Sequence, residues 1–138
     1  MAKRYYVDTS AYLCVLLGEK GAEALSRELE GGELLVSSLL LLEAHRNLVR
    51  LSRQGMLSAV RLQDASDRLD ADVRMFVVRD LTLDICQQRD MPIISTPRSL
   101  DLAHLRTALW FHRRQPIHRF VSTDVAQKLA AREFGLPV

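Results

Sequence analysis

The feature that most constrains the fold of this chain is the alternation of short, apolar, β-rich runs with longer helical stretches. The runs predict four strands, at 4–7, 34–36, 74–78 and 119–122. The intervening stretches predict helices at 9–17, 21–29, 39–53, 57–69, 81–89, 100–113 and 125–134. Strands that alternate with helices are typical of an α/β fold, in which a parallel sheet carries helices on both faces.

The length of 138 residues suits one domain spanning 1–138, and no repeat, low-complexity tract or linker divides it. The most apolar run, 34–42, contains two serines and is too short to cross a bilayer, so we expect no membrane association. Cys14 and Cys86 each lie in apolar sequence, which predicts two isolated buried thiols. These features together favour a cytoplasmic protein.

Two aspartates stand where predicted strands end. Asp8 follows the first strand and Asp124 follows the last. Ligands of parallel α/β sheets bind beyond the carboxyl ends of the strands, so both acids are candidates for chemistry. Each could equally cap the helix that follows it, and Asp124 has Gln127 three residues later, as in a capping box. A capping role therefore stays open for both.

Two further acids lie within predicted helices. Glu43 follows four leucines, so its helix is expected to be largely buried, and a buried carboxylate needs an ionic or metal partner. Arg46 and Arg50 follow on the same helical face and offer an intrahelical ion pair instead. Asp101 shares a face with apolar or small residues at positions 105 and 108, but the helix dipole could also stabilise it. For each of these acids, a role in chemistry and a purely structural role both stay open.

The four acids are most informative as a set. Carboxylates that converge at one mouth of a small sheet repel one another unless cations neutralise them. All-oxygen ligands suit Mg²⁺ or Mn²⁺, whereas zinc sites generally include His or Cys. Such ions polarise phosphoryl oxygens and generate hydroxide near neutral pH. Phosphodiester hydrolysis is the reaction that this chemistry fits best.

Three parts of the sequence resemble the PIN-domain nucleases, and most closely the VapC toxins of bacterial toxin–antitoxin pairs. They are 6–13 (YVDTSAYL), 37–44 (SSLLLLEA), and a third part made of 99–109 (SLDLAHLRTAL), 120–124 (FVSTD) and 130–136 (AAREFGL). Their order, spacing and total length agree with the family over essentially the whole chain. One departure is the stretch 90–98, where Pro92 and Pro97 make an unusual lead-in to Asp101.

The resemblance implies a three-layer, PIN-like α/β fold with a small parallel sheet of four to five strands. It also implies Mg²⁺- or Mn²⁺-dependent endonucleolytic cleavage of structured RNA. The implied catalytic and metal-binding acids are Asp8, Glu43, Asp101 and Asp124. Asp124 corresponds to the most variable of these positions, and action through a water is the alternative to direct metal binding there. The implied supporting hydroxyls are those of Thr9, Ser10 and Ser122.

Partners are implied by the same resemblance: an RNA substrate, a second copy of the chain in a homodimer, and a cognate antitoxin that occludes the site. Arg46 and Arg50 are candidates to bind RNA phosphates. His104 lies one helical turn after Asp101, and packing at a helix interface is favoured over metal binding or base catalysis. Trp110 could stack on a base, although core or dimer packing is the default.

Two other functions were weighed against the nuclease. A phosphotransfer enzyme with Asp8 as nucleophile would need a second acid nearby in sequence, as in Asp-x-Asp, but Thr9 and Ser10 follow instead. A catalytically silent module that binds RNA or protein on the same fold is the remaining alternative. The presence of all four acids argues against such decay.

Overall fold

Four short parallel strands form the centre of the structure, a computed structural model that describes residues 2–95 and 98–138. The strands are β1 (Arg4–Val7), β2 (Glu33–Ser37), β3 (Val77–Arg79) and β4 (Arg119–Val121). Their order across the sheet is β3-β2-β1-β4, and all three pairings are parallel. The predicted α/β class is confirmed. The predicted loop position Pro97 lies outside the described residues.

Helices account for most of the described chain outside the strands. They are α1 (Thr9–Leu17), α2 (Ala22–Leu29), α3 (Leu39–Arg53), α4 (Ala59–Val73), α5 (Leu83–Gln87), α6 (Ser99–Arg114) and α7 (Val125–Glu133). Helix α1 ends at Gly18, whose φ of 64° is favourable only without a side chain, and whose N–H bonds back to carbonyls of the last turn. None of the helices in the described part is long and apolar enough to cross a membrane.

Side chains of the strands alternate between two apolar layers, as the twofold period of a strand requires. Tyr6 and Phe120 face the layer that contains α6 and α7, where Phe111 and Phe134 complete a buried cluster. Val7 and its neighbours on the other face pack against α1, α3 and α4. The sheet is therefore covered by helices on both faces, which confirms the three-layer arrangement.

The third strand and its flanking helices differ from prediction. The β-rich run 74–78 predicts a strand from Arg74, but α4 continues to Val73 and the strand begins only at Val77. Helix α5 is shorter than the predicted 81–89, covering Leu83–Gln87. A short β-forming run beside a helix does not fix the boundary, because tertiary packing decides which residues extend the helix.

The two cysteines lie in different surroundings. Both are free thiols, and Cys14 is buried as predicted. Cys86, at the end of α5, is exposed, so its predicted burial is wrong. On this short helix Ile85 takes the buried position, whereas Leu83 is exposed like Cys86.

The strand order places a topological switch at the centre of the sheet. From β1 the chain moves outward to β2 and β3 on one side, and β4 is added on the other side. The connections that leave β1 and β4 thus diverge, and open α/β sheets form their ligand crevices at such a point. Residues just beyond Val7 and Val121 occupy this crevice, which is where Asp8 and Ser122 lie.

Candidate active site

Asp8 stands directly after β1, at the switch point, with 5% of its surface exposed. Its carboxylate Oδ1 accepts hydrogen bonds from the Ala11 backbone N–H at 3.1 Å and the Ser10 hydroxyl at 2.7 Å. The capping role left open by the sequence is therefore observed. Burial raises the pKa of Asp8, and the hydroxyls of Ser122 and Ser10 only partly oppose that effect. The cap thus holds a carboxylate that is costly to ionise.

Asp124 caps α7 in the same way but in a more open position. Its Oδ1 accepts from the backbone N–H of Ala126 at 2.9 Å and of Gln127 at 3.3 Å, and the side chain is exposed. The capping-box alternative is met only in part, because the Gln127 amide donates to the backbone carbonyl of Asp101 at 3.0 Å and not back to the start of its own helix. This bond fastens the start of α7 to the start of α6.

A pair of serines joins the ends of the two strands. Ser10 Oγ lies 3.2 Å from Ser122 Oγ and accepts from the Thr123 backbone N–H at 3.0 Å. Ser122 Oγ in turn accepts from the Asp124 backbone N–H at 3.1 Å. The two predicted supporting serines therefore connect the loop that carries Asp8 with the loop that carries Asp124.

Glu43 extends from α3 toward the same edge of the sheet and is half-buried. Its Oε1 accepts from Thr9 Oγ1 at 2.7 Å and lies 2.6 Å from His104 Nε2. Burial alone would raise the pKa of Glu43, but the hydrogen bonds from His104 and Thr9 bring it below its usual value. Thr9 is thus placed as a supporting hydroxyl for Glu43.

The alternative of an ion pair between Glu43 and the arginines of α3 is not observed. Arg46 is exposed and acts on Glu43 only through its charge, which helps to lower the pKa of that carboxyl. Arg50 donates to Asn47 at 3.0 Å and to Gln54 at 3.2 Å. Both guanidinium groups stay at the surface of α3.

His104 is the residue whose contacts the sequence interpretation underestimated. It is 2% exposed, and its Nδ1 lies 2.8 Å from the hydroxyl of Tyr6, while Nε2 contacts Glu43. Burial, followed by the charges of Asp8 and Glu43, raises the pKa of Tyr6 well above its ordinary value. The available signal was the position of His104 one turn after Asp101, on the same face of α6.

Asp101 lies in the first turn of α6 and is partly exposed. Burial raises the pKa of Asp101, the negative charge of Asp124 raises it further, and the Arg98 guanidinium opposes both. Glu43 adds a smaller repulsion. Asp101 is therefore close enough to both acids to feel their charges, as convergence at one edge requires.

Among the four acids, Asp101 interacts through charge with Asp124 and Glu43, while Asp8 lies directly after β1. Within residues 2–95 and 98–138, no three His, Cys, Asp or Glu side chains lie close enough together to hold one metal ion. The four predicted ligands are nevertheless all carboxylates, which is the oxygen chemistry that Mg²⁺ and Mn²⁺ favour. Burial is the largest cause that raises the pKa of both Asp8 and Asp101, so their ionised forms are costly without a compensating cation.

Trp110 lies apart from this edge, near the end of α6. The guanidinium groups of Arg114 and Arg79 lie 3.7 and 4.5 Å from the centre of its ring. The neighbouring Phe111 is buried in the core. Cation–π contacts therefore engage the Trp110 ring, while Phe111 packs in the core.

The parallel three-layer fold with an acidic crevice at its switch point defines a class of α/β proteins that place carboxylates beyond the strand ends. Among protein families, the model of the PIN domain matches residues 5–109. The chain belongs to the PIN-domain family.

A solved structure shares this fold. The crystal structure of VapC20 from Mycobacterium tuberculosis, described as a Sarcin-Ricin loop cleaving toxin, superimposes with a TM-score of 0.60 at 16% sequence identity. The match covers 91% of this chain and 94% of VapC20. No curated protein sequence matches the chain.

Proposed function

We propose that this protein is a divalent-metal-dependent endoribonuclease, the toxin of a VapC-type toxin–antitoxin pair. The proposal is supported by membership of the PIN-domain family, by Asp8 directly after β1 and Asp124 directly before α7, and by the repulsion that Asp101 feels from Asp124 and Glu43. Burial raises the pKa of Asp8, and burial with repulsion from Asp124 raises that of Asp101. A bound cation would remove both penalties.

The donor set fits Mg²⁺ or Mn²⁺. Asp8 and Asp101 would be the principal ligands, and Glu43 would be a further ligand. Asp124 would bind the ion either directly or through a water. When bound, such an ion polarises the phosphodiester and activates water for in-line displacement. The bound ion would favour the charged form of each carboxylate ligand, so fewer of these groups would be protonated near neutral pH.

The chain's own residues hold the acids in place. Thr9 and His104 fix one oxygen of Glu43, while Ser10 and the Ala11 N–H fix one oxygen of Asp8. Ser122 keeps the Asp124 loop against Ser10. Fixed donors of this kind reduce the reorganisation that a reaction would otherwise require. Arg46, exposed on the same helix as Glu43, would contact an RNA phosphate.

The proposed substrate is a structured RNA. VapC20, which shares the fold over nearly its whole length, is described as a toxin that cleaves the Sarcin-Ricin loop. That description supports an RNA target for this chain and, by the same likeness, a cognate antitoxin that covers the crevice. A homodimer working in the cytoplasm completes the proposal.

The test is incubation of the purified protein with structured RNA in Mg²⁺ or Mn²⁺. Asp8→Asn removes the central carboxylate and retains a good helix cap. Asp70→Asn is the matched control, because it makes the same chemical change on the exposed face of α4. We expect cleavage by the wild type and Asp70→Asn, and none by Asp8→Asn or in EDTA.

Two results would contradict the proposal in different ways. Cleavage that persists in both EDTA and Asp8→Asn would show that the acids and the ion are not the machinery. Tight RNA binding with no cleavage of any structured RNA, by a folded wild-type protein, would favour the silent binding module instead.

A further inference from the structure

A buried chain of hydrogen bonds runs beneath the acids and connects three elements of the fold. It begins at the Tyr6 hydroxyl on β1, passes through the ring of His104 on α6, and ends at Oε1 of Glu43 on α3. The two contacts measure 2.8 and 2.6 Å. Tyr6 is fully buried and His104 nearly so, which makes this a polar path through an otherwise apolar layer.

The direction of the chain follows from its donors and acceptors. A tyrosine hydroxyl carries its proton near neutral pH, and donation to His104 Nδ1 leaves the ring proton on Nε2. The Nε2–H then donates to Glu43, as a carboxylate can only accept. Thr9 Oγ1, 3.2 Å from Nε2, adds a second donor to the same carboxylate oxygen.

These hydrogen bonds hold the Glu43 carboxylate in one orientation. His104 and Thr9 both reach Oε1, and in the described part of the chain no protein group donates to Oε2. One oxygen is thus anchored to the protein and the other is left for a ligand. A glutamate side chain has three rotatable bonds, so without the anchor it would sample several positions.

We propose that His104, oriented by Tyr6, is the positioning residue that turns Glu43 Oε2 into the acidic crevice. This inference rests on the proposed metal-dependent nuclease, since it assigns Glu43 to a metal ion. It gives His104 a role beyond helix packing, while the chemistry stays with the acids. Hydrogen-bond partners of this kind commonly change metal affinity or activity by about 10- to 100-fold.

Two substitutions of His104 separate positioning from packing. The side-chain amide of Gln reaches about as far as Nε2 and can still donate to Glu43, whereas that of Asn reaches only about as far as Nδ1. Both remove the ring, so a packing role would make them similar, with the shorter Asn leaving the larger cavity. Tyr6→Phe deletes only the hydroxyl that orients the ring and serves as a mild third variant.

The measurement is the Mn²⁺ dissociation constant by calorimetry, with kcat and KM for RNA and Tm recorded alongside. We expect His104→Asn to weaken Mn²⁺ binding by about 10-fold or more and to lower kcat with little change in KM. His104→Gln should stay within about threefold of the wild type, and Tyr6→Phe should weaken binding about threefold. In a Glu43→Gln background these three changes should have no further effect on Mn²⁺ affinity.

The comparison of each variant in the wild-type and Glu43→Gln backgrounds also defines the results that would overturn the inference. If His104→Asn binds Mn²⁺ as the wild type does, or if its effect persists undiminished in Glu43→Gln, His104 does not act through Glu43 and the inference is overturned. If His104→Asn fails to fold, an unchanged Mn²⁺ affinity in Tyr6→Phe or a 10-fold loss in His104→Gln overturns it equally.

A failure of the proposed function is distinguishable from a failure of this inference. A wild-type protein that binds no Mn²⁺ and cleaves no RNA would overturn both, regardless of His104. A wild-type protein that binds Mn²⁺ and cleaves RNA, with folded His104 variants that do the same, would overturn the inference alone.

Discussion

The inner and outer halves of the acidic crevice are built differently. In the inner half, hydroxyl, imidazole and backbone donors fix one oxygen each of Asp8 and Glu43. In the outer half, Asp101 and Asp124 start their helices at a more exposed level, and the charge of Asp124 raises the pKa of Asp101. The inner acids are held by side-chain donors, whereas Asp124 is held only by backbone N–H groups and Asp101 feels burial and then the charge of Asp124.

This difference indicates how the site would respond to a cation. The fixed inner acids offer a ready position for an ion, since their orientation does not depend on binding. The outer acids gain more from neutralisation, because the ion removes their mutual repulsion. We therefore expect the loss of Asp8, Glu43 or Asp101 to weaken cation binding most and the loss of Asp124 to weaken it least.

The largest expected effect is on the inner half. Asp8→Asn and Glu43→Gln should each lower kcat/KM for RNA by about 100-fold or more, since loss of a metal ligand removes several kcal/mol of transition-state stabilisation. Asp8→Asn should at the same time raise the metal-free Tm by about 3 °C, because it deletes a buried charge and keeps the cap. Cleavage assays and thermal melts measure the two. A variant that loses activity only by unfolding would contradict the comparison.

The two outer acids should differ from each other. Asp101 is more buried than Asp124, so Asp101→Asn is expected to lower kcat/KM by about 100-fold. Asp124→Asn should cost about 10-fold, as expected for a ligand that acts through water and whose replacement still caps α7. Kinetics at saturating Mn²⁺ give the ratio. Equal losses at both positions would show that Asp124 is a full ligand.

The pH dependence of metal-free stability tests the raised pKa values directly. A carboxyl whose pKa is raised by folding makes the folded state bind more protons, so its contribution to stability falls as pH rises through the raised pKa. The stabilising effects of Asp8→Asn and Asp101→Asn should therefore be greater at pH 7.5 than at pH 4. Chemical denaturation at the two pH values measures this. Saturating Mn²⁺ should abolish the advantage, and an advantage that is constant with pH would contradict the burial of both charges.

The smallest effect is expected from the arginines of α3. Arg46→Ala, beside Glu43, should weaken RNA binding about threefold and reduce the slope of log affinity against log salt by about one. Arg50 is engaged by Asn47 and Gln54, so Arg50→Ala should do less. Both arginine variants are made in the Asp8→Asn background, so that cleavage does not interfere, and their RNA binding is measured at several salt concentrations. A larger effect for Arg50 would move the RNA path toward the far end of α3.

Much of the fold could be predicted because local patterns and packing agree. The strand at Arg4–Val7 and the helices at Leu39–Arg53 and Val125–Glu133 combine strong periodicity with clear ends. The start of β3 could not be predicted, since residues 74–76 have the composition of a strand and yet follow the extended helix α4. Propensity is a weak guide where neighbouring elements compete for the same residues.

The candidate site, like the fold, could be predicted from the sequence only in part. The ends of strands made Asp8 and Asp124 candidates, and the parallel pairing of β1 with β4 places both acids at the same edge of the sheet. The partners of these residues were harder to predict, as the capping box at Gln127 and the ion pair at Glu43 show. His104 reaches Glu43 across 61 positions of sequence, and only the packing of α6 against α3 and β1 makes that contact.

The most direct test of the central idea is a crystal of the wild-type protein soaked in Mn²⁺, with the ion located by its anomalous scattering. A peak about 2 Å from carboxylate oxygens of Asp8 and Asp101, with Glu43 Oε2 turned toward it, is the predicted result. A crystal that holds Mn²⁺ elsewhere, and leaves the crevice between β1 and β4 without a peak at saturating Mn²⁺, would contradict it.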